Sequence, residues 1–126
     1  MDASLSLDPD SLWAFAYVST PAVPFSDRDL SDLMIAARAS NAADGLSGKL
    51  VVLEEGDRVL RFAQWIEGPR WGLAGAIARI LRDTRHGDFE VRHLGAVAER
   101  RFPGWDMALY PADSIRFPTA AARVTA

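Results

Sequence analysis

KLVVLEEGDRVLRFAQWI, residues 49–66, sets two β-rich runs on either side of Glu-Gly-Asp, the composition of a β-hairpin. The second run continues into RFAQWIEGP (61–69), where strict alternation places Gln64 in line with Leu60, Phe62 and Ile66. An amide on an apolar strand face needs a partner, because a buried polar group left unpaired costs roughly 1 to 3 kcal/mol. Leu60, Phe62 and Ile66 keep the face of Gln64 apolar, so any irregularity of the hairpin is expected at its tip, Glu54 to Arg58. A slip of one residue within the strand would turn Gln64 to the other face.

Upstream, SLWAFAYVS (11–19) carries Trp13, Phe15 and Tyr17 on one side and Leu12, Ala14, Ala16 and Val18 on the other. Both faces are apolar, so this is a central strand. After the TPAVPF break, Ser26 is a candidate N-cap, with acids in the following turn and Leu30, Leu33, Met34 and Ala37 at helical spacing. The spacing predicts a helix over about 27–41 that ends toward Gly45. Asn41 falls one turn beyond Ala37 on the same stripe. Downstream, a second helix is predicted from Pro69, with Ala74, Ile77, Ala78 and Leu81 as its stripe, before the DTRHGD break. FEVRHLGAVAE (89–99) reads as a fourth strand, and WDMALY (105–110) as a short fifth one after Pro103-Gly104. The chain from Pro111 on reads as irregular.

The order β-α-β, β-α-β plus one short strand predicts an α+β, ferredoxin-like fold. Its sheet is mixed, with both helices on one face. One domain over 11–110 is expected between tails at 1–10 and 111–126. Strands one and three then lie side by side at the centre, with Tyr17 and Gln64 as neighbours. The other face of strand one is apolar too, and few residues after Tyr110 are left to cover it. A second copy or another protein is expected to do so.

Composition narrows the function classes. A chain of 126 residues, 49% apolar and 25% charged, suits one soluble domain. With no cysteine, disulfides, thiol catalysis and thiolate metal sites are excluded. A net charge of −3 argues against nucleic acid as a partner. No apolar run is long enough for a bilayer, so no membrane partner is expected. The opening MDASLSLDPD has acids and no basic residue, unlike a secretory signal, so a cytoplasmic protein is expected. His86 and His93 have no carboxylate pattern around them, which gives no support to a metal enzyme or a nucleophilic hydrolase.

Three polar side chains therefore break the apolar pattern on the helix-covered side: Tyr17, Asn41 and Gln64. Each alone reads as a core residue with a satisfied polar group. Three from different elements, converging where two helices meet a sheet, favour a polar planar ligand.

Five ordered motifs carry a resemblance to a known family. AYVS resembles the first-strand signature of the BLUF domains, bacterial blue-light sensors that hold FAD between two helices of a ferredoxin-like fold. ARASNAADGLSG is similar to the family's A-R-x-x-N-x-x-x-G-[IL]-[ST]-G, QWIEGP to its Q-x-[LI]-E-G, DTRH to its D-x-R-H, and RRFPGWDM to its R-x-F-x-x-W-x-M. The resemblance implies a non-catalytic photoreceptor with Tyr17 and Gln64 as its photoactive pair. Tyr17 transiently gives the excited flavin an electron and a proton, and Gln64 then settles into a changed hydrogen-bonding arrangement. It also implies that Arg38, Asn41, Arg85 and His86 bind the cofactor, with the two arginines suited to the diphosphate of FAD. His86 as a surface histidine in a turn stays open beside that reading. Trp105 and Met107 on the short fifth strand are implied to pass the signal to a protein partner, either a second copy or an effector. FMN is an alternative to FAD. A BLUF-like module that no longer senses light is the other functional reading. An acylphosphatase-like enzyme ranks below both, because its glycine-rich phosphate loop is replaced here by STPAVP.

Overall fold

Why β1 is apolar on both faces follows from its place in the sheet. The computed structural model describes residues 8–55, 58–104 and 109–111. The elements in chain order are β1 (Leu12–Pro21), α1 (Asp27–Ala43), β2 (Ser47–Glu55), β3 (Arg58–Pro69), α2 (Arg70–Arg82), β4 (His86–Ala96) and β5 (Leu109–Pro111). They form one five-stranded sheet of order β4-β1-β3-β2-β5. β1 is antiparallel to both β3 and β4, and β5 runs parallel to β2, so the sheet is mixed as expected. This is the ferredoxin-like order, with β1 and β3 adjacent and central. No helix among the described residues is long and apolar enough to cross a membrane.

α1 begins at the expected cap. Ser26 Oγ accepts from the Asp29 N–H (3.1 Å), and Asp29 Oδ2 accepts from the Ser26 N–H (2.9 Å), which is a capping box. The helix runs past Asn41 to Ala43 and stops because Gly45 takes a left-handed φ of +70°. There the Leu46 N–H reaches the Asn41 carbonyl (2.8 Å) and the Gly45 N–H reaches that of Ala42 (3.3 Å), a Schellman closure. Leu30, Met34 and Asn41 are its buried residues, the stripe the spacing predicts.

α2 departs from expectation. Pro69 caps the helix from outside, and the buried residues are Gly72, Leu73 and Ala76. Of the predicted stripe, Ala74 and Ala78 are exposed and Leu81 is 51% exposed, while Ile77 packs partly against the core. Gly72 sets this phase: a Cβ there would lie 2.3 Å from the Asp44 carbonyl, so only this face can approach the end of α1. β4 also starts earlier than predicted, at His86, because β1 extends to Pro21 and pairs with it there.

The hairpin contains a β-bulge. Leu53 pairs with Arg61 but Glu54 pairs with Val59, leaving Leu60 as an extra residue in β3. Leu60 is accordingly 37% exposed, and Val59 packs against the helix-side core in its place. The predicted line Leu60–Phe62–Gln64–Ile66 therefore holds only from Phe62 onward, and Gln64 stays on the helix side.

The sheet face away from the helices, expected to need a partner's cover, is buried within the chain. Ala14, Ala16, Val18, Val51, Ala63 and Trp65 form its core, with Val97 and Phe102 packed against them. Residues following β4 supply this cover, which strand periodicity alone did not foresee.

Candidate functional site

Tyr17 and Gln64 are directly opposite each other in the β1–β3 register. The Tyr17 hydroxyl donates to Gln64 Oε1, and both residues are buried. Among the described residues Tyr17 is the hydrogen-bond partner of the Gln64 side chain, which leaves the amide N–H donors to the cavity that Gln64 lines. Burial pushes the Tyr17 phenol far above its ordinary range, and the nearby Asp83 carboxylate adds to the effect. The phenol therefore keeps its proton throughout the range in which the protein works.

Above this pair lies a cavity of about 230 Å³ between α1, α2 and the sheet. Its walls are apolar and small where the helices face each other, at Ala36, Ala37 and Ala76, with Leu33, Ile66 and Ile80 beside them. Its uncharged polar positions include Ser40 and Asn41, the latter fixed at the last turn of α1 by the Schellman closure, and Gln64 on its floor. Phe62, edge-on to Phe25 at 5.1 Å, closes the side toward the start of α1.

The rim is charged. Arg85 binds Asp83 through two hydrogen bonds of 2.9 and 2.7 Å, which hold the Asp83 carboxyl below its usual range and raise the guanidinium. Arg79 pairs with Asp44 at 3.2 Å across the two helices. His86 lines the cavity, half-buried, and its Nδ1 lies 2.7 Å from Ser19 Oγ. Burial lowers its pKa from the ordinary value, outweighing the opposing effect of Asp83. Ser19 is fully buried and does not line the cavity, so this Ser–His contact is not placed to attack a bound molecule.

Of the residues singled out by sequence, Tyr17, Asn41, Gln64, Arg85 and His86 come together around this one space. Arg38 does not: it sits on the exposed side of α1 and is absent from the cavity wall. Trp105 and Met107 lie outside the described residues. Arg79 was missed, although it stands at i+3 from Ala76, and correct phasing of α2 would have found it. Asp83 was passed over as part of a helix-ending turn.

The residues present suit a flavin. A flat tricyclic ring that is apolar across its faces and carries hydrogen-bonding groups on its edge matches small apolar walls with Asn41 and Gln64 donors, and the arginines at the rim suit phosphate. Fold and site thus define a ferredoxin-like module with a cavity suited to a planar ligand over a tyrosine–glutamine pair. The chain belongs to the BLUF family, the sensors of blue light using FAD, whose family model matches residues 12–108. It is a photoreceptor domain of the flavin-binding kind. It is 31% identical over 93 residues to the photoactivated adenylate cyclase subunit beta of Euglena gracilis, covering 74% of this chain and 10% of that protein. It is similar to the dark-state structure of BlrB, a BLUF protein, with a TM-score of 0.75 and 28% identity over 83% of this chain and 76% of that one. It is also similar to Klebsiella pneumoniae BlrP1 with FMN and cyclic diGMP, with a TM-score of 0.68 and 27% identity, over 90% of this chain and 29% of that one. The chain spans about a tenth of the length of the curated relatives it matches.

Proposed function

We propose that this chain senses blue light through the Tyr17–Gln64 pair and reports it by protein contact rather than by catalysis. One observation carries the reading: the Tyr17 hydroxyl donates to Gln64 Oε1 at the floor of the cavity between the helices and the sheet. When bound, the flavin supplies absorption of blue light. The residues of the chain do the rest. Tyr17, held protonated by burial, has one proton to place, and Gln64 has a donor end and an acceptor end. Rotation or tautomerism of the amide exchanges those ends and changes what β3 offers to both the phenol and the cavity. A hydrogen bond gained or lost is worth about 1 kcal/mol, enough to bias an element that has two arrangements.

Asn41 orients the ligand, and Arg79 and Arg85 hold its phosphate end. His86 lines the cavity beside Tyr17, fixed by Ser19. Arg38 stands outside this set unless α1 turns. FAD is the flavin of the family's name, and FMN, present in the BlrP1 structure, offers the same ring to the same floor. The signal passes through Trp105 and Met107 to a second copy or an effector protein.

The test is an absorption spectrum of the purified protein before and after blue illumination. A yellow solution with a small reversible red shift, lost in Tyr17→Phe and in Gln64→Leu while flavin is retained, supports the reading. A colourless protein that takes up no flavin defeats it and favours a module that has lost light sensing. Mass spectrometry of the released flavin distinguishes FAD from FMN.

A further inference from the structure

Glu67 is the one carboxylate in the described core: its side chain is fully buried, on the sheet face opposite the cavity. Alternation along β3 puts Gln64 and Ile66 toward the helices and Trp65 and Glu67 away from them. Three N–H donors converge on it. Trp65 Nε1 (2.9 Å) and the Arg101 N–H (2.9 Å) donate to Oε1, and the Phe102 N–H (2.6 Å) donates to Oε2. Both oxygens are used as acceptors, which glutamine cannot reproduce.

The neighbouring residues grip the same place by other means. The Arg100 guanidinium donates to Ser47 Oγ (2.7 Å), to the Glu67 carbonyl (3.3 Å) and to the Gly45 carbonyl (2.8 Å). Arg101 lies over the Trp65 ring at 5.2 Å, and Phe102 meets that ring edge-on at 6.5 Å. The segment 100–102 is thus fastened to β3 beside Gln64, and its strongest fastening is a charge-assisted one in a dry environment.

We propose that Glu67 is a positioning residue of the light response: it ties the segment leading toward β5 to the strand that carries Gln64, so that movement of β3 reaches that segment. The proposal rests on the blue-light reading given above. Trp65 is the physical intermediary, since it follows Gln64 in the chain and donates its indole N–H to Glu67. The buried carboxylate is needed because a rigid, fully occupied acceptor transmits a displacement that a loosely packed apolar contact would absorb.

The experiment uses the full chain loaded with flavin and follows two readouts: the light-induced red shift, and amide hydrogen exchange at Arg101 and Phe102 in the dark and under blue light. In the unmodified protein light changes exchange at both amides. Glu67→Gln is expected to keep flavin and the red shift, to speed dark exchange at these two amides on the order of tenfold, and to abolish their response to light. Trp65→Phe removes a single donor, keeps an aromatic ring at the position, and is expected to diminish the light response at Arg101; it carries the test if Glu67→Gln does not fold. A red shift with no light effect on these amides in the unmodified protein overturns the proposal, as does an undiminished effect in the variants. Absence of the red shift in the unmodified protein overturns the underlying reading, and the proposal falls with it.

Discussion

The two faces of β3 differ in what they are packed with. Toward the helices, Phe62, Gln64 and Ile66 border an open space with small alanines opposite. On the other side, Ala63, Trp65 and Glu67 sit in a filled core where Trp65 is stacked on His93 at 5.4 Å and met by Phe102. The first face leaves room and unsatisfied donors, as a ligand site requires. The second is filled, as a structural core requires: three N–H donors meet the Glu67 carboxylate there, while His93 Nε2 is buried with no hydrogen-bond partner among the described residues. One strand therefore joins a responsive surface to a stiff one, and its alternation keeps the two chemically separate.

That contrast can be broken in graded ways. The largest effect is expected from Phe102→Ala, which empties part of the filled face and should lower stability by about 3 to 5 kcal/mol in urea denaturation. The folded fraction should still show the red shift; its loss would mean the faces do not divide their tasks. Asn41→Ala acts on the open face and should weaken flavin uptake on the order of tenfold, read by titration of the apoprotein, with little change in the denaturation midpoint. Ser26→Ala touches neither face and removes the capping box, at a cost of about 1 kcal/mol in the same denaturation assay.

The smallest effect should come from pH. The folded-state pKa of His86 lies below its ordinary 6.5, so the unfolded chain binds the proton more readily. Stability should hold above pH 6.5 and decline as pH falls through the lowered value, with the decline reduced in His86→Gln. A rise in stability on acidification would reverse the assigned cause.

Much of this architecture was legible from residue order. Apolar residues on both sides of β1 placed it centrally, Ser26 and Gly45 bounded α1, and alternation in β3 aimed Gln64 at Tyr17. What escaped depended on contacts between elements. The phase of α2 is ambiguous in a helix rich in alanine and isoleucine, and it is decided by the approach of Gly72 to Asp44, which no local pattern encodes. That error hid Arg79. Glu67 was visible only as a letter in a motif, because its partners Arg101 and Phe102 lie far along the chain. Leu60 was assigned to the core because a bulge is one residue long and leaves no compositional trace.

That bulge has a consequence for how the hairpin tolerates change. Leu60 is a spare residue in β3, lying between the tip and Phe62, and it absorbs an odd count before the alternation that aims Gln64 begins. Residues added or removed beyond it alter the reach of the arm while the Tyr17–Gln64 pair keeps its phase. Between Leu60 and Gln64 the same edit must come in twos, or the amide turns its back on the phenol. The tip is thus the place on this strand where a tag or a reporter peptide can be grafted without blinding the sensor.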